Sequence, residues 1–368
     1  MTPARITRRR GNTSDHRIHG CYSENDLDLR HLLKRGALVT AANWPVVVVQ
    51  FIAETTFQVL LAVPLIGAAI LVTVLLGADL AEILQGSLRE IFTTVASTLL
   101  SEPLALVAFI TAFSLVLLGG SVMMFVVKGG TVEVMLAAEA AAGSIEREPI
   151  TIHSLRTASR FTLQRFMNGC ARMFRPYISL GLLLMLVYGV SIATYIGFVA
   201  YGYRGAADRV LVIGWTFIAA LSAGGLIAWF TVVNLLYLLA QVAIAVENVG
   251  VYDGIRSVAR FIRAEFRDLA GVFLIVVALV VAATFASALA WSGVGLIAFV
   301  PLVGLAVFPL QIAALLLRGL VFEYLGLTAL GAYLTLYSRS RVERTVGAEL
   351  ATPVAGATED WASRSAGL

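Results

Sequence analysis

Long stretches of this chain carry no charged side chain. Residues 55–78, 103–127 and 176–203 run for 24, 25 and 28 positions without Asp, Glu, Lys or Arg, 210–246 for 37 and 269–317 for 49. A helix rises about 1.5 Å per residue, so roughly 20 apolar residues cross the hydrocarbon core of a bilayer. Each of the first three runs therefore predicts one crossing, and the fourth predicts a helix that continues past the bilayer. The 49-residue run must hold one crossing, a turn near Trp291-Ser292-Gly293 and the start of another. With the last helix ending near Tyr337, the pattern predicts six transmembrane helices, over 45–77, 103–128, 176–202, 210–242, 269–290 and 304–337. The expected fold is an all-α, polytopic membrane helix bundle.

The segments between crossings suggest a threefold repeat. Leu29-Arg30-His31-Leu32-Leu33-Lys34 is matched by Leu155-Arg156-Thr157-Ala158-Ser159-Arg160 and again by Ile255-Arg256-Ser257-Val258-Ala259-Arg260. Each copy precedes a pair of crossings. In the second crossing of each pair a small-residue signature recurs: Gly119-Gly120 with Phe125, Gly224-Gly225 with Phe230, and Arg318-Gly319 with Tyr324. Three units of one amphipathic interfacial helix plus two crossings follow, over residues 28–142, 151–248 and 253–338 of a membrane domain spanning 28–338. Two crossings per unit give all copies one orientation, a parallel repeat.

Helical periodicity picks out the interfacial elements. Leu163, Phe166, Met167, Cys170 and Phe174 form an apolar stripe with Arg165 and Arg172 opposite. In the third copy Ile255, Val258, Ile262, Phe266 and Leu269 form the stripe, beside a basic one of Arg256, Arg260, Arg263 and Arg267. With Arg156 and Arg160, these arginines are candidates for anionic lipid headgroups, at about 1 kcal/mol each. Their simplest reading is as topology anchors, with specific headgroup recognition or docking of a cytoplasmic partner as the alternatives. Residues 79–102 carry a further stripe (Leu80, Ile83, Leu84, Leu88, Ile91, Phe92, Val95, Leu99) and predict a helix lying on the opposite surface. The corresponding 291–308 is uncharged, contains Pro301, and is expected as irregular backbone.

Composition agrees with a lipid environment. Of 368 residues 59% are hydrophobic and 14% charged, and mean hydropathy is +0.87. A water-soluble fold would lack the polar surface to cover such a core. Charge adds orientation. Eight Lys and Arg precede residue 36, seven lie in 128–175, four in 248–268 and four in the C-terminal tail, against Arg89, Arg204 and Arg209 on the other face. Short basic loops stay inside, so both termini are expected in the cytoplasm of a cell (inner or plasma) membrane. The tails 1–27 and 339–368 are expected to be disordered. Cys21 and Cys170 fall on the reducing side, and no disulfide is expected.

Ionisable groups at membrane depth are the natural candidates for function. Glu54 lies in a polar patch with Gln50 and Gln58, and Arg318 replaces the first glycine of the repeat signature, with Glu323 five residues on. Glu54 and Arg318 come out at similar depth and are expected to pair across the bundle. Arg318 and Glu323 project about 140° apart, so neither is the other's main partner. Two readings stand: a buried ion pair fixing helix packing, or a water-lined path lined also by Asn234. The glycines Gly119, Gly120, Gly224, Gly225 and Gly319 are expected to permit close helix contact. Glu133, Glu139, Gln241 and Glu247, near the ends of two crossings, are expected to meet arginines of the interfacial helices or solvent.

Motifs of catalysis are missing from the sequence: there is no HExxH, no phosphate-binding glycine loop and no GxSxG elbow. His16, His19 and Cys21 could ligate metal only as one cluster within a tail. No catalytic residue, cofactor, metal or nucleic-acid partner is expected.

The stretch Ala243-Ile244-Ala245-Val246-Glu247-Asn248-Val249-Gly250-Val251-Tyr252-Asp253-Gly254-Ile255-Arg256-Ser257 resembles uncharacterised prokaryotic six-helix membrane proteins. It is also similar to the membrane domain fused to some bacterial glycerophosphodiester phosphodiesterases. There, an acidic-then-glycine connection leads into an amphipathic helix with a basic–Ser pair. The resemblance covers residues 29–340 and implies the fold, without implying catalytic residues. The expected function is that of a non-enzymatic accessory, scaffold or envelope-maintenance protein acting through membrane lipids and a protein partner. The alternative is a transporter or permease-like protein for a small or amphiphilic solute, using Glu54, Arg318 and Glu323. A scaffold predicts a closed bundle; a transporter predicts a cavity lined by Glu54, Gln58, Asn234 and Arg318 or Glu323.

Overall fold

In the computed structural model, residues 24–76, 100–147, 151–205, 209–298 and 301–351 are described. Every regular element among them is helical. In chain order they are α1 (Glu24–Ala42), α2 (Trp44–Leu76), α3 (Pro103–Ala141), α4 (Ile152–Ala158), α5 (Leu163–Gly205), α6 (Arg209–Glu247), α7 (Val251–Ala264), α8 (Phe266–Ala298) and α9 (Pro301–Ala351). Six are long and apolar enough to cross a membrane. The chain is a multi-pass helical membrane protein.

Local chemistry sets the breaks. Pro103 opens α3 at the first helical position, where its missing N–H costs nothing. Thr151 caps α4 through a reciprocal capping box with Ser154. Gly143 leaves α3 at φ +56°, and Asn248 leaves α6 at φ +54°, a left-handed conformation that Gly and Asn tolerate best.

Helices follow the order short, long, long three times, and each long pair packs on itself: α2 with α3, α5 with α6, α8 with α9. The hairpins are joined at their basic ends. There α3 packs on α5, α1 on α9 and α7 on α6, burying Met135, Tyr177, Leu239, Ile244, Phe261, Tyr333 and Tyr337. Away from this base the large side chains point outward, as with Leu104, Phe217 and Leu289, each more than 70% exposed. Exposed apolar surface on this scale suits hydrocarbon and not water.

Asn43 ties two units together at the base. It sits fully buried between α1 and α2, its Nδ2 donating to the carbonyls of Val39 (2.9 Å) and Ala158 (3.0 Å). Its Oδ1 accepts from the backbone N–H groups of Arg160 (2.8 Å) and Phe161 (3.1 Å), in the linker between α4 and α5. Arg35 holds the neighbouring corner, paired with Glu139 at 2.7 Å and Glu146 at 2.8 Å. Burial works against the Arg35 charge, but Glu139 and then Glu146 outweigh it and hold Arg35 above its ordinary value. Burial likewise pushes the Glu146 carboxyl up, but its own backbone N–H, the Arg35 hydrogen bond and the nearby arginine charges bring it below its ordinary value. A depressed carboxylate contributes stability above its unfolded value, about 4.3, and loses it as pH falls further. Thermal denaturation in detergent should therefore show a midpoint that holds above about pH 5 and drops as pH falls from about 4.5 toward 3. The drop should be shallower for Glu146→Gln; identical slopes for the two proteins would contradict this account of the corner.

Several sequence expectations need correcting. The turn expected near Trp291-Ser292-Gly293 is helix: α8 runs on to Ala298 and α9 starts at Pro301, so most of 291–308 is helical. Ser292 bonds back to the Leu289 carbonyl (2.8 Å), an intrahelical bond that keeps the polar residue inside the helix. Pro301 opens the next described helix, a first-turn position that proline suits. The tail from 339 is helical as far as Ala351, because past Tyr337 the chain keeps helix-forming Arg339, Arg341, Glu343 and Arg344 and meets no proline before Pro353. At the other end α1 begins at Glu24, inside the tail assigned to 1–27. The surface helix expected over 79–102 lies almost wholly outside the described residues, as do 1–23, 352–368 and the trio His16, His19 and Cys21.

The interfacial stripes are also divided differently. In α5 the face turned to the core is Phe166, Gly169, Cys170, Met173 and Tyr177, while Leu163, Met167 and Phe174 are exposed. In α7 the core face is Gly254, Ser257, Val258 and Phe261, while Ile255 is exposed. One apolar side meets protein and an adjacent one is left for lipid, which a two-faced helical wheel cannot distinguish.

Candidate functional site: a polar cluster between two chambers

Helical spacing assembles the site from four crossings. On α2, Gln50, Glu54 and Gln58 follow at intervals of four and share a face. On α3, Lys128 and Thr131 are three apart; on α6, Asn234, Tyr237 and Gln241 share a stripe; on α9, Glu323 lies five residues past Arg318. Gln58 Nε2 donates to Glu54 Oε1 at 3.3 Å. The Glu323 carboxyl lies close to Glu54 and Gln50, and near Lys128. Lys128 thus faces two carboxyls, and its ammonium sits 5.3 Å from the centre of the Tyr237 ring, within cation–π range.

A chamber lies on each side of this cluster. The one toward the base has a volume of about 570 Å³, and Gln50, Lys128, Thr131, Asn234, Tyr237 and Gln241 contribute its polar wall. The other, farther from the base, measures about 670 Å³ and is lined by Glu54, Gln58, Thr284, Arg318 and Glu323 among apolar side chains. Four buried polar atoms on the first wall have no hydrogen-bond partner among the described residues: Gln50 Oε1, Thr131 Oγ1, Tyr237 O–H and Gln241 Nε2. A buried polar group left unpaired costs about 1–3 kcal/mol, so four around one cavity mark it as a place for polar contents.

Sequence reasoning found part of this. Glu54, Gln50, Gln58, Glu323 and Arg318 do come together, and Asn234 lines the neighbouring chamber. The expected Glu54–Arg318 ion pair does not form among the described residues. Arg318 shares a chamber with Glu54 but lies over its own neighbour Phe322, 5.7 Å from the ring centre, while Glu54 turns toward Glu323. Lys128 was missed as a site residue, because a lysine ending a 25-residue uncharged run reads as a membrane boundary. The signal against that reading was the apolar helix continuing through Val132–Ala138, which places Lys128 inside the bundle.

The expected headgroup arginines Arg156, Arg160, Arg172, Arg256, Arg260, Arg263 and Arg267 are exposed, and Arg165 is half-buried. Some have protein partners as well. Arg172 pairs with Glu133, Arg165 donates to the Arg160 carbonyl (2.6 Å), and Arg260 donates to Ser257 Oγ (2.9 Å). Glu247 accepts from Ser257 (2.7 Å) and Tyr337 (2.6 Å). Of the glycines expected to pack, Gly120 lies against Phe57 and Gly319 against Phe51, whereas Gly119, Gly224 and Gly225 face open space. Close backbone seams occur where Gly36 of α1 meets α9 and where Gly130 faces Gly169. No group of three His, Cys, Asp or Glu suited to a metal occurs among the described residues.

Compared with protein-family models, curated proteins and solved structures, the chain shows no match.

Proposed function

We propose that this protein moves a small or amphiphilic solute across a cell membrane as a transporter or permease-like protein, with its basic base and both termini in the cytoplasm. The observation that carries this reading is the Gln50–Glu54–Lys128–Glu323 cluster standing between two chambers, one toward each end of the bundle. A closed structural pair would have no need of cavities on both sides, and charges at membrane depth are costly enough to mark a path. The reading includes no chemical reaction. Cysteine accessibility in membrane vesicles tests it without knowing the solute. In a background with Cys21 and Cys170 replaced, Thr231→Cys in the base-side chamber should react with a membrane-impermeant thiosulfonate added on the cytoplasmic side. Thr284→Cys should react with reagent added to the opposite side, and Glu323→Gln should change both rates. Neither position reacting from either side would reject transport.

A second reading, an accessory or scaffold protein, is supported by the ion-paired base and the exposed arginines of α4, α5 and α7, which suit anionic lipid or a partner protein.

A further inference from the structure

We infer that the base-side chamber is a binding site for a single-chain amphiphile with an anionic, acceptor-rich head, a proposal that rests on the transport reading and names its solute class. The polar wall is rich in donors. Thr131 is 1% exposed, Gln241 2% and Tyr237 7%; all three line the cavity, and each carries a buried hydroxyl or amide nitrogen with no hydrogen-bond partner among the described residues. The Gln241 amide nitrogen can only donate, and both hydroxyls can. Lys128 adds a positive charge on the same wall, while the carboxylates that face it, Glu54 and Glu323, line the other chamber. A head that accepts several hydrogen bonds and carries negative charge is therefore matched, and a cationic head is not.

The remaining wall is hydrocarbon. Phe273, Val276, Val277 and Val280 present one face of α8, and Leu235 and Leu238 face them from α6. These two helices make no packed seam with each other, although both pack on α9. The chamber lies in the gap they leave, where the half-exposed Val280 and Val281 meet the lipid side. A chain can thus run from the buried head site out along α8 toward the acyl layer. At about 570 Å³ the space is in the range that holds one small ligand.

Binding to the purified full chain in nanodiscs of neutral phosphatidylcholine tests this. Labelled hexadecanoate should bind saturably, one per chain, and lysophosphatidate should compete. Hexadecanol and hexadecyltrimethylammonium should compete at least tenfold more weakly. The order of the two anions tells a carboxylate source from a phosphate one, and either order supports the site. The double variant Thr131→Val/Gln241→Leu should weaken binding at least tenfold. Val277→Trp, which fills the hydrocarbon side without touching a polar group, should abolish it, so that a folding defect in the first variant leaves the test intact. Non-saturable partition alike for all heads, or saturable binding indifferent to Val277→Trp, would overturn the proposal. Saturable, Val277-dependent binding with both cysteine positions closed to reagent would keep the site and reject transport; reactive cysteines with no saturable binding would do the reverse.

Discussion

Replacing Asn43 with alanine is expected to destabilise the protein by about 3 kcal/mol, as an order of magnitude, without touching either chamber. The side chain makes four hydrogen bonds from a fully buried position, two as donor and two as acceptor. Truncation leaves the Arg160 and Phe161 N–H groups and the Ala158 carbonyl without those partners, and each unpaired buried group costs on the order of 1–3 kcal/mol. Asn43→Leu keeps the volume and loses the same bonds, so it should be no milder. Unfolding in mixed micelles, followed by tryptophan fluorescence, measures the loss. A change below about 1 kcal/mol for both variants would mean that the link between the first and second units does not depend on this residue.

The second large effect is at Gly36. A methyl group there would stand 2.5 Å from the Thr328 carbonyl oxygen and 2.8 Å from the Ala332 nitrogen, both backbone atoms of α9. Backbone cannot rotate away as a side chain can, so α1 and α9 would have to separate, and the Tyr324 hydroxyl bond to the Ala37 carbonyl (3.0 Å) would be stretched with them. Overpacking of this kind costs about 1–3 kcal/mol, and Gly36→Ala is placed near the top of that range. Gly224→Ala and Gly225→Ala supply the control. Nothing lies within 4 Å of a methyl at either position, and alanine is the better helix former by up to about 1 kcal/mol. They should be neutral or stabilising, a reversal of sign within one protein that thermal melts in detergent can read directly. Equal losses at all three positions would remove the distinction between seam and open face.

That contrast shows where sequence reading stops. Crossings were legible because charge exclusion from hydrocarbon is a one-dimensional property: a run of 24 or more uncharged residues announces itself whatever its neighbours. Glu54, Gln50, Gln58 and Glu323 were legible for the same reason, as polar groups where lipid should be. Partner choice depends on how each helix is rotated and how deep each residue sits, and neither is written in a uniform apolar run. Arg318 and Glu54 share a depth yet not a contact, while Lys128 was taken for a boundary although its helix continues well beyond it. The glycine doublets repeat in sequence at 119–120 and 224–225, yet the second pair packs on nothing, because a small residue permits contact only if another helix lies opposite. Breaks were misplaced where a polar residue such as Ser292 satisfies its hydroxyl within the helix and so does not end it.

The central claim is that Glu54, Lys128 and Glu323 act as one coupled cluster between the chambers, and a double-mutant cycle tests it most directly. Lys128→Met, Glu323→Gln and their combination are compared with the parent by reversible unfolding in the same micelles. Groups in contact couple by about 0.5–3 kcal/mol, so the double variant should be at least about 1 kcal/mol less destabilised than the two single losses added together. Losses that add to within about 0.3 kcal/mol would show that Lys128 and Glu323 do not sense each other, contradicting the cluster and the transport reading built on it.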